Sequence, residues 1–210
     1  MKYLVIEGNI GSGKTTLAKM LADDLNAKLI LEQFADNPFL PRFYEDRERY
    51  SFSLELSFLA DRYNQLKREV LNLDLFHPLL IADYYFSKTA IFAQNTLQPD
   101  EYRLFKQIFS MVAGNIPKPD LYVYLHTDTQ NLLKNIKKRG RDYEQNISAE
   151  YLAKISEGYF SYLRGITSFP VLIVDVNQID FVKYPEHFLR LKETLLESDY
   201  KFGINRLILS

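Results

Sequence analysis

Cysteine and tryptophan are both missing from the 210 residues. Without cysteine there is no disulfide framework and no thiolate metal site. Neither sign of charge prevails: 26 Lys and Arg stand against 27 Asp and Glu, a formal net charge of −1. No overall basic field therefore gathers nucleic acid. Long apolar runs are missing too. The N-terminal run ends at Glu7, too soon for a signal-peptide core or a spanning helix. These absences predict a soluble, cytoplasmic protein with neither a membrane nor a nucleic acid as partner. What is present is ordinary for a globular chain, with 47% hydrophobic and 25% charged residues, which excludes a disordered or collagen-like protein. The 15 tyrosines and 15 phenylalanines suit a core or a pocket that stacks planar ligands.

Five short apolar runs read as buried strands: Tyr3–Ile6, Lys28–Leu31, Leu79–Ala82, Leu121–Leu125 and Val171–Asp175. Between them lie segments with helical spacing. Residues 14–25 place Leu17, Met20, Leu21 and Leu25 on one face. Ser51 to Leu71 holds no Pro or Gly and repeats Leu54, Phe58, Arg62, Leu66 and Val70 at four-residue steps. Further helices are predicted over 84–97, 100–115, 128–138, 149–165 and 184–198. Thr127 or Asp128 and Ser148 are the caps of two of them. Asn37-Pro38 and Leu40-Pro41 make 33–43 a loop with short turns. Strands alternating with helices, without repeats or linkers, predict one α/β domain over 1–210, built on a five-stranded parallel sheet flanked by helices in three layers.

Gly8-Asn9-Ile10-Gly11-Ser12-Gly13-Lys14-Thr15 fits G-x-x-x-x-G-K-[ST] in full, after a strand and before a helix. The glycines let backbone N–H groups turn toward a phosphate, and the helix N-terminus adds partial positive charge. Gly8 through Thr16 is therefore the ATP-binding candidate, with Lys14 on the outer phosphates and Thr15 as a hydroxyl ligand for Mg²⁺. The chain contains no D-x-x-G switch, and Asn177-Gln178-Ile179-Asp180 only half matches a guanine-reading N-K-x-D. A small-molecule kinase is favoured over a regulatory switch.

Ligands of parallel sheets gather at the carboxyl ends of the strands, where Glu7, Glu32 and Asp83 lie. Glu32 is the candidate base that accepts a hydroxyl proton, and Asp83 the candidate Mg²⁺ holder, directly or through water. Lys137-Lys138-Arg139-Gly140-Arg141 reads either as a solvated helix C-terminus or as a lid, about 137–147, whose arginines clamp a phosphoryl group.

Together these motifs resemble the deoxyribonucleoside kinase family. The resemblance runs through Glu7–Thr16, through Glu32 with Asn37-Pro38-Phe39-Leu40 and Phe43-Tyr44-Glu45-Asp46, and through Glu55 with Phe58–Tyr63. It continues in Asp83 with Ile91-Phe92-Ala93, in Arg139–Ile147 and in Val174–Asn177. The Phe-Tyr-Glu-Asp segment looks like the bacterial purine enzymes. The resemblance implies a P-loop NTPase-like fold, ATP with Mg²⁺, a deoxynucleoside acceptor and a homodimer. It implies Glu32 as general base on the 5′-hydroxyl, Arg139 and Arg141 on the donor phosphates, Tyr44 and Glu144 on the sugar 3′-hydroxyl, Phe92 stacked on the base, and Glu55 with Arg62 at the base edge.

Three positions depart from the family pattern. Tyr84 follows Asp83 where an arginine is usual, and Lys88 is the nearest replacement cation. Asn135 stands where another arginine is expected. Glu55 stands where many relatives have Gln, which suits a base edge rich in N–H donors and leaves deoxyguanosine and deoxyadenosine both open. A thymidylate-type monophosphate kinase and a non-catalytic nucleotide switch are the alternatives. The first would need Asp-Arg-Tyr after the third strand, where this chain has Asp83-Tyr84-Tyr85, its Asp61-Arg62-Tyr63 falling inside a helix instead.

Overall fold

In the computed structural model the described residues are 1–33, 37–71, 77–197 and 199–208. Six strands form one sheet: β1 (Tyr3–Gly8), β2 (Lys28–Ile30), β3 (Leu80–Ala82), β4 (Leu121–His126), β5 (Pro170–Asp175) and β6 (Gly203–Ile208). Their order is β2-β3-β1-β4-β5-β6, and every pairing is parallel. Eight helices connect them: α1 (Lys14–Asp24), α2 (Phe39–Glu45), α3 (Arg47–Leu71), α4 (Ser87–Thr96), α5 (Pro99–Ala113), α6 (Thr129–Arg139), α7 (Ala149–Arg164) and α8 (Pro185–Glu197).

The pleat divides the strand side chains between two cores, because successive residues point to opposite faces. Tyr3, Val5, Tyr122, Tyr124, Val171 and Ile173 pack with residues of α3, α4, α5 and α7. Leu4, Ile6, Val123, Leu125, Leu172 and Val174 pack with α1 and α8 through Leu17, Leu21 and Leu191. Both faces of the sheet are thus covered, which is why its central strands are apolar without alternation. The three-layer α/β reading holds.

Two expectations are corrected. The sheet has six strands and not five. The sixth, Gly203-Ile204-Asn205-Arg206-Leu207-Ile208, sits on an edge against β5, so its polar Asn205 and Arg206 break the apolar run that marks a buried strand. The reading of 33–43 as loop with short turns holds at residues 33, 37 and 38 but is overturned from Phe39 on, residues 34–36 lying outside the described part. Phe39–Glu45 is helical. Asn37 Oδ1 accepts from Phe39 N at 3.0 Å and caps the turn. Pro41 falls in the first turn, whose N–H groups have no intrahelical partner to lose. Helix α3 likewise begins four residues earlier than Ser51, with Asp46 Oδ1 accepting from Arg49 N. Of the expected caps, Ser148 holds Tyr151 N at 3.2 Å, whereas Asp128 precedes α6 without a side-chain bond.

Leu191 is fully buried between α8 and the sheet. Leu191→Ala is expected to lower stability by about 2–5 kcal/mol through the cavity it leaves, read as a fall in the urea midpoint with an unchanged slope.

Candidate active site

Strand β1 ends in Gly8, and the chain curls through residues 9–13 before α1 begins. Gly11 and Gly13 have φ of +84° and +87°, a region that side chains rarely adopt, and a Cβ on Gly11 would stand 2.8 Å from the Leu132 carbonyl. The loop is pinned from two helices. Asn9 Nδ2 donates to Leu152 O (2.7 Å) and Ser156 Oγ (2.8 Å) on α7, and Asn135 Nδ2 donates to Gly11 O (2.8 Å) from α6. Asn135, where an arginine was expected, is therefore an anchor of the phosphate loop. Lys14 is buried at the start of α1, its Nζ 3.4 Å from Asn9 O. Burial, and then the like charge of Lys88, lower its pKa to about 8 against the pull of Glu32, Asp83 and Glu7.

Strands β2 and β3 are neighbours, so the residues after them emerge side by side. Asp83 Oδ1 accepts from Glu32 N at 2.8 Å, and Asp83 Oδ2 accepts from Thr15 Oγ1 at 2.6 Å. The Glu32 carboxylate lies between two buried cations. Arg62 of α3 donates to Oε1 from Nη2 (2.6 Å) and Nε (2.9 Å), and Lys88 of α4 donates to Oε2 at 2.5 Å. Burial alone would raise the Glu32 pKa, but Lys88 and Arg62 outweigh it and hold the carboxyl well below the usual range. Lys88 thus occupies the acid centre where Tyr84 leaves no arginine.

Arg62 is 4% exposed and Glu55 3% exposed, so the two do not form a surface ion pair. Arg62 turns toward Glu32, reaches Thr89 Oγ1 at 3.0 Å and lies 4.5 Å over the Phe58 ring. Glu55 Oε1 receives the Thr96 hydroxyl at 2.8 Å, while its Oε2 is buried without a partner among the described residues. Glu7, one of the three strand-end carboxylates, does not face the cleft. It is fully buried and receives Gly8 N (3.2 Å), Tyr85 N (2.9 Å) and Tyr159 OH (2.8 Å).

Beyond α6, Gly140 ends the helix with φ +71°. Arg139 and Arg141 then both grip the buried Glu144, Arg141 Nη1 at 3.2 Å. Asn177 Oδ1 accepts from Asp128 N, tying the segment after β5 to the start of α6, and Asp180 Oδ1 accepts from Val182 N and Lys183 N in a local turn, so the half-match to N-K-x-D is structural.

One cleft, open to solvent, brings many of these groups together, although Glu7 and, of residues 8–16, all but Ile10, Lys14 and Thr15 do not line it. Its walls include Lys14, Thr15, Glu32, Tyr44, Glu55, Arg62, Asp83, Phe92, Arg139, Arg141 and Glu144 from the sequence analysis, with Lys88. Ile10, Leu40, Phe43, Leu54, Phe58 and Tyr151 also line it. Phe58 carried a signal, since it lies between Glu55 and Arg62 on one helical face. Tyr151 carried none, because only the docking of α7 brings it in. Among the described residues no group of three or more His, Cys, Asp or Glu could hold a metal ion. The Thr15 hydroxyl and the Asp83 carboxylate, in contact, are hard oxygen donors of the kind that hold Mg²⁺ together with substrate phosphates. No described helix is long and apolar enough to cross a membrane.

The chain is similar to known proteins over almost its whole length. The sequence pattern of the family described as "Deoxynucleoside kinase" matches residues 4–198. A deoxyguanosine kinase of Bacillus subtilis is 36% identical over 193 residues, covering 90% of this chain and 93% of the relative. A deoxyadenosine kinase of Lactobacillus acidophilus is 28% identical over 216 residues, 96% of each chain. The structure of deoxyadenosine kinase from M. mycoides with bound dATP superposes with a TM-score of 0.81 at 26% identity, over 93% of this chain and 100% of that one.

Replacing Glu32 by Gln leaves two buried cations without their counter-charge, and is expected to lower stability by about 3–5 kcal/mol near neutral pH. Because the folded pKa of Glu32 lies below the unfolded one, its contribution is complete above about pH 4–5 and is lost as pH falls toward the folded value. The gap between wild type and Glu32→Gln in urea unfolding should therefore narrow below about pH 4.

Proposed function

This chain belongs to the deoxynucleoside kinase family, and we propose that it transfers the γ-phosphoryl group of ATP to the 5′-hydroxyl of a purine deoxynucleoside, in one in-line step. The observation that carries the reading is the Glu32 carboxylate fixed between Arg62 and Lys88 beside the phosphate loop. Gly8 to Thr16 cradles the phosphates of ATP, and Lys14 meets the outer ones, its pKa of about 8 rising as their negative charge arrives. Thr15 and Asp83 hold Mg²⁺, which when bound neutralises phosphate charge. Glu32 accepts a hydrogen bond from the 5′-hydroxyl, aligns its lone pair with the γ-phosphorus and takes its proton as the new P–O bond forms and the bond to the β,γ-bridging oxygen breaks, releasing ADP. Lys88 stands in for the family's arginine, bridging Glu32 and the transferring group.

The nucleoside fills the apolar end of the cleft. Phe92, already edge-on to Tyr159 at 6.5 Å, stacks on the base, and Glu55 with Arg62 faces its edge. Tyr44 and Glu144 hold the 3′-hydroxyl, and residues 137–147 act as a lid. In the free protein Glu144 keeps Arg139 and Arg141 together, and donor phosphates then compete for the two guanidinium groups. The curated relatives named for deoxyguanosine and deoxyadenosine support a purine acceptor. Exposed Leu104 and Met111 on α5 support a homodimer joined through that helix, in a cytoplasmic salvage enzyme.

An ATP/Mg²⁺ assay across the four deoxynucleosides and their 5′-monophosphates should give ADP with a purine deoxynucleoside; turnover of monophosphates alone would sink the reading. Glu32→Ala should lower kcat by about 10²–10⁴-fold with ATP binding retained, and near-normal turnover would remove Glu32 from the role. Light scattering should return twice the 24.7 kDa of the chain.

A further inference from the structure

Among the described residues Glu55 is the cleft carboxylate with a buried oxygen that no group hydrogen-bonds, and it has no ion pair. It is 3% exposed and lines the cleft, yet its Oε2 has no hydrogen-bond partner among the described residues. The natural counter-ion, Arg62, lies two helical turns on along the same face of α3. Its guanidinium is already engaged, by Glu32 through Nε and Nη2 and by Thr89 through Nη1. The sole hydrogen bond to Glu55 among the described residues comes from Thr96, whose Oγ1 also stands within bonding distance of the Phe92 carbonyl. A hydroxyl has one proton, so these two acceptors share it, and its support for a charged carboxylate is partial.

The groups facing Glu55 pull in both directions. Burial raises its pKa to about 7, and Glu32 adds to this across the cleft. Arg62 on its own helix, the Thr96 hydroxyl and Lys88 of α4 act the other way. Tyr151 of α7 faces it as a neutral phenol, with its own pKa pushed up by burial and by Glu55. Glu55 therefore changes charge close to neutral pH, with one oxygen free at the place where a base must fit.

Purines differ at the ring nitrogen of this edge. Adenine N1 only accepts a hydrogen bond, whereas guanine N1 carries a proton and only donates. A carboxylic acid donates, and a carboxylate only accepts. Resting on the deoxynucleoside kinase reading above, we propose that Glu55 is a proton-switched reader of the base. As the acid it donates from Oε2 and admits deoxyadenosine; as the carboxylate it accepts at Oε2 and admits deoxyguanosine. A glutamine at this position has both functions at once and cannot switch.

The test is the ratio of kcat/KM for deoxyguanosine to that for deoxyadenosine, followed from about pH 6 to about pH 8, a range in which neither base changes protonation at N1. A factor of ten per pH unit is the ceiling for one titrating group, and the wild-type ratio should rise at least tenfold over the two units. In Glu55→Gln the ratio should be flat. A flat wild-type ratio overturns the proposal while leaving the kinase reading in place. A slope that survives in Glu55→Gln also overturns it, by assigning the proton to another group. Turnover of neither nucleoside at any pH overturns the kinase reading itself, and the switch with it.

Discussion

The site depends on one buried interaction, the carboxylate of Glu32 held between Arg62 and Lys88. Removing three charges from water is costly, and the mutual attraction of well-placed partners only offsets that cost. The arrangement is tolerated because each charge has its geometry satisfied, the guanidinium by Glu32 and Thr89 and the carboxylate at both oxygens. Its return is positional. Glu32 follows β2, Arg62 lies within α3 and Lys88 opens α4, so a single carboxylate ties three elements at the mouth of the cleft. Losing Glu32 would leave two buried cations without their counter-charge, whereas losing either cation leaves the carboxylate paired with the other.

This triad would be misplaced without the sheet beneath it. Strands β2 and β3 pair in parallel, so both chains leave the sheet at the same end and Asp83 can receive Glu32 N and the Thr15 hydroxyl together. Strand β1 lies on the other side of β3 and delivers the phosphate loop to that end. The glycine-rich loop, Glu32 and Asp83 meet because three neighbouring strands point one way. Glu7 serves the same purpose from below. Its buried carboxyl receives a phosphate-loop amide, a backbone amide beyond β3 and a phenol from α7, and so joins three segments under the cleft.

Much of this was legible in the residues. A phosphate loop is recognisable because its backbone path requires glycines at fixed spacing, and a buried parallel strand because both its faces are apolar. The sixth strand was not legible, since an edge strand needs only half its surface covered and can carry Asn205 and Arg206. Helix α2 was hidden by Pro38 and Pro41, which look like punctuation until their place before and within a first turn is known. At the site, the sequence placed Glu55 and Arg62 on one face but could not tell that Arg62 turns to Glu32. That choice depends on how α3 and α4 dock on the sheet, and no spacing along one helix contains it. Lys88 was visible only as a nearby cation until its contact with Glu32 gave it a function.

The central place of β1 has a consequence for how the protein is made. Tyr3 pairs with Leu80 and Leu4 with Leu121, so β1 leaves the ribosome well before β3 and β4, its two neighbours in the sheet. Until β3 emerges both edges of this apolar strand are open, and until β4 emerges one still is, beside α1 and α3, helices that form from local contacts. Assembly of the sheet is therefore a late event in synthesis, set by long chain closures, and the interval before β4 emerges is when the nascent protein is most exposed to strand-to-strand association with other copies.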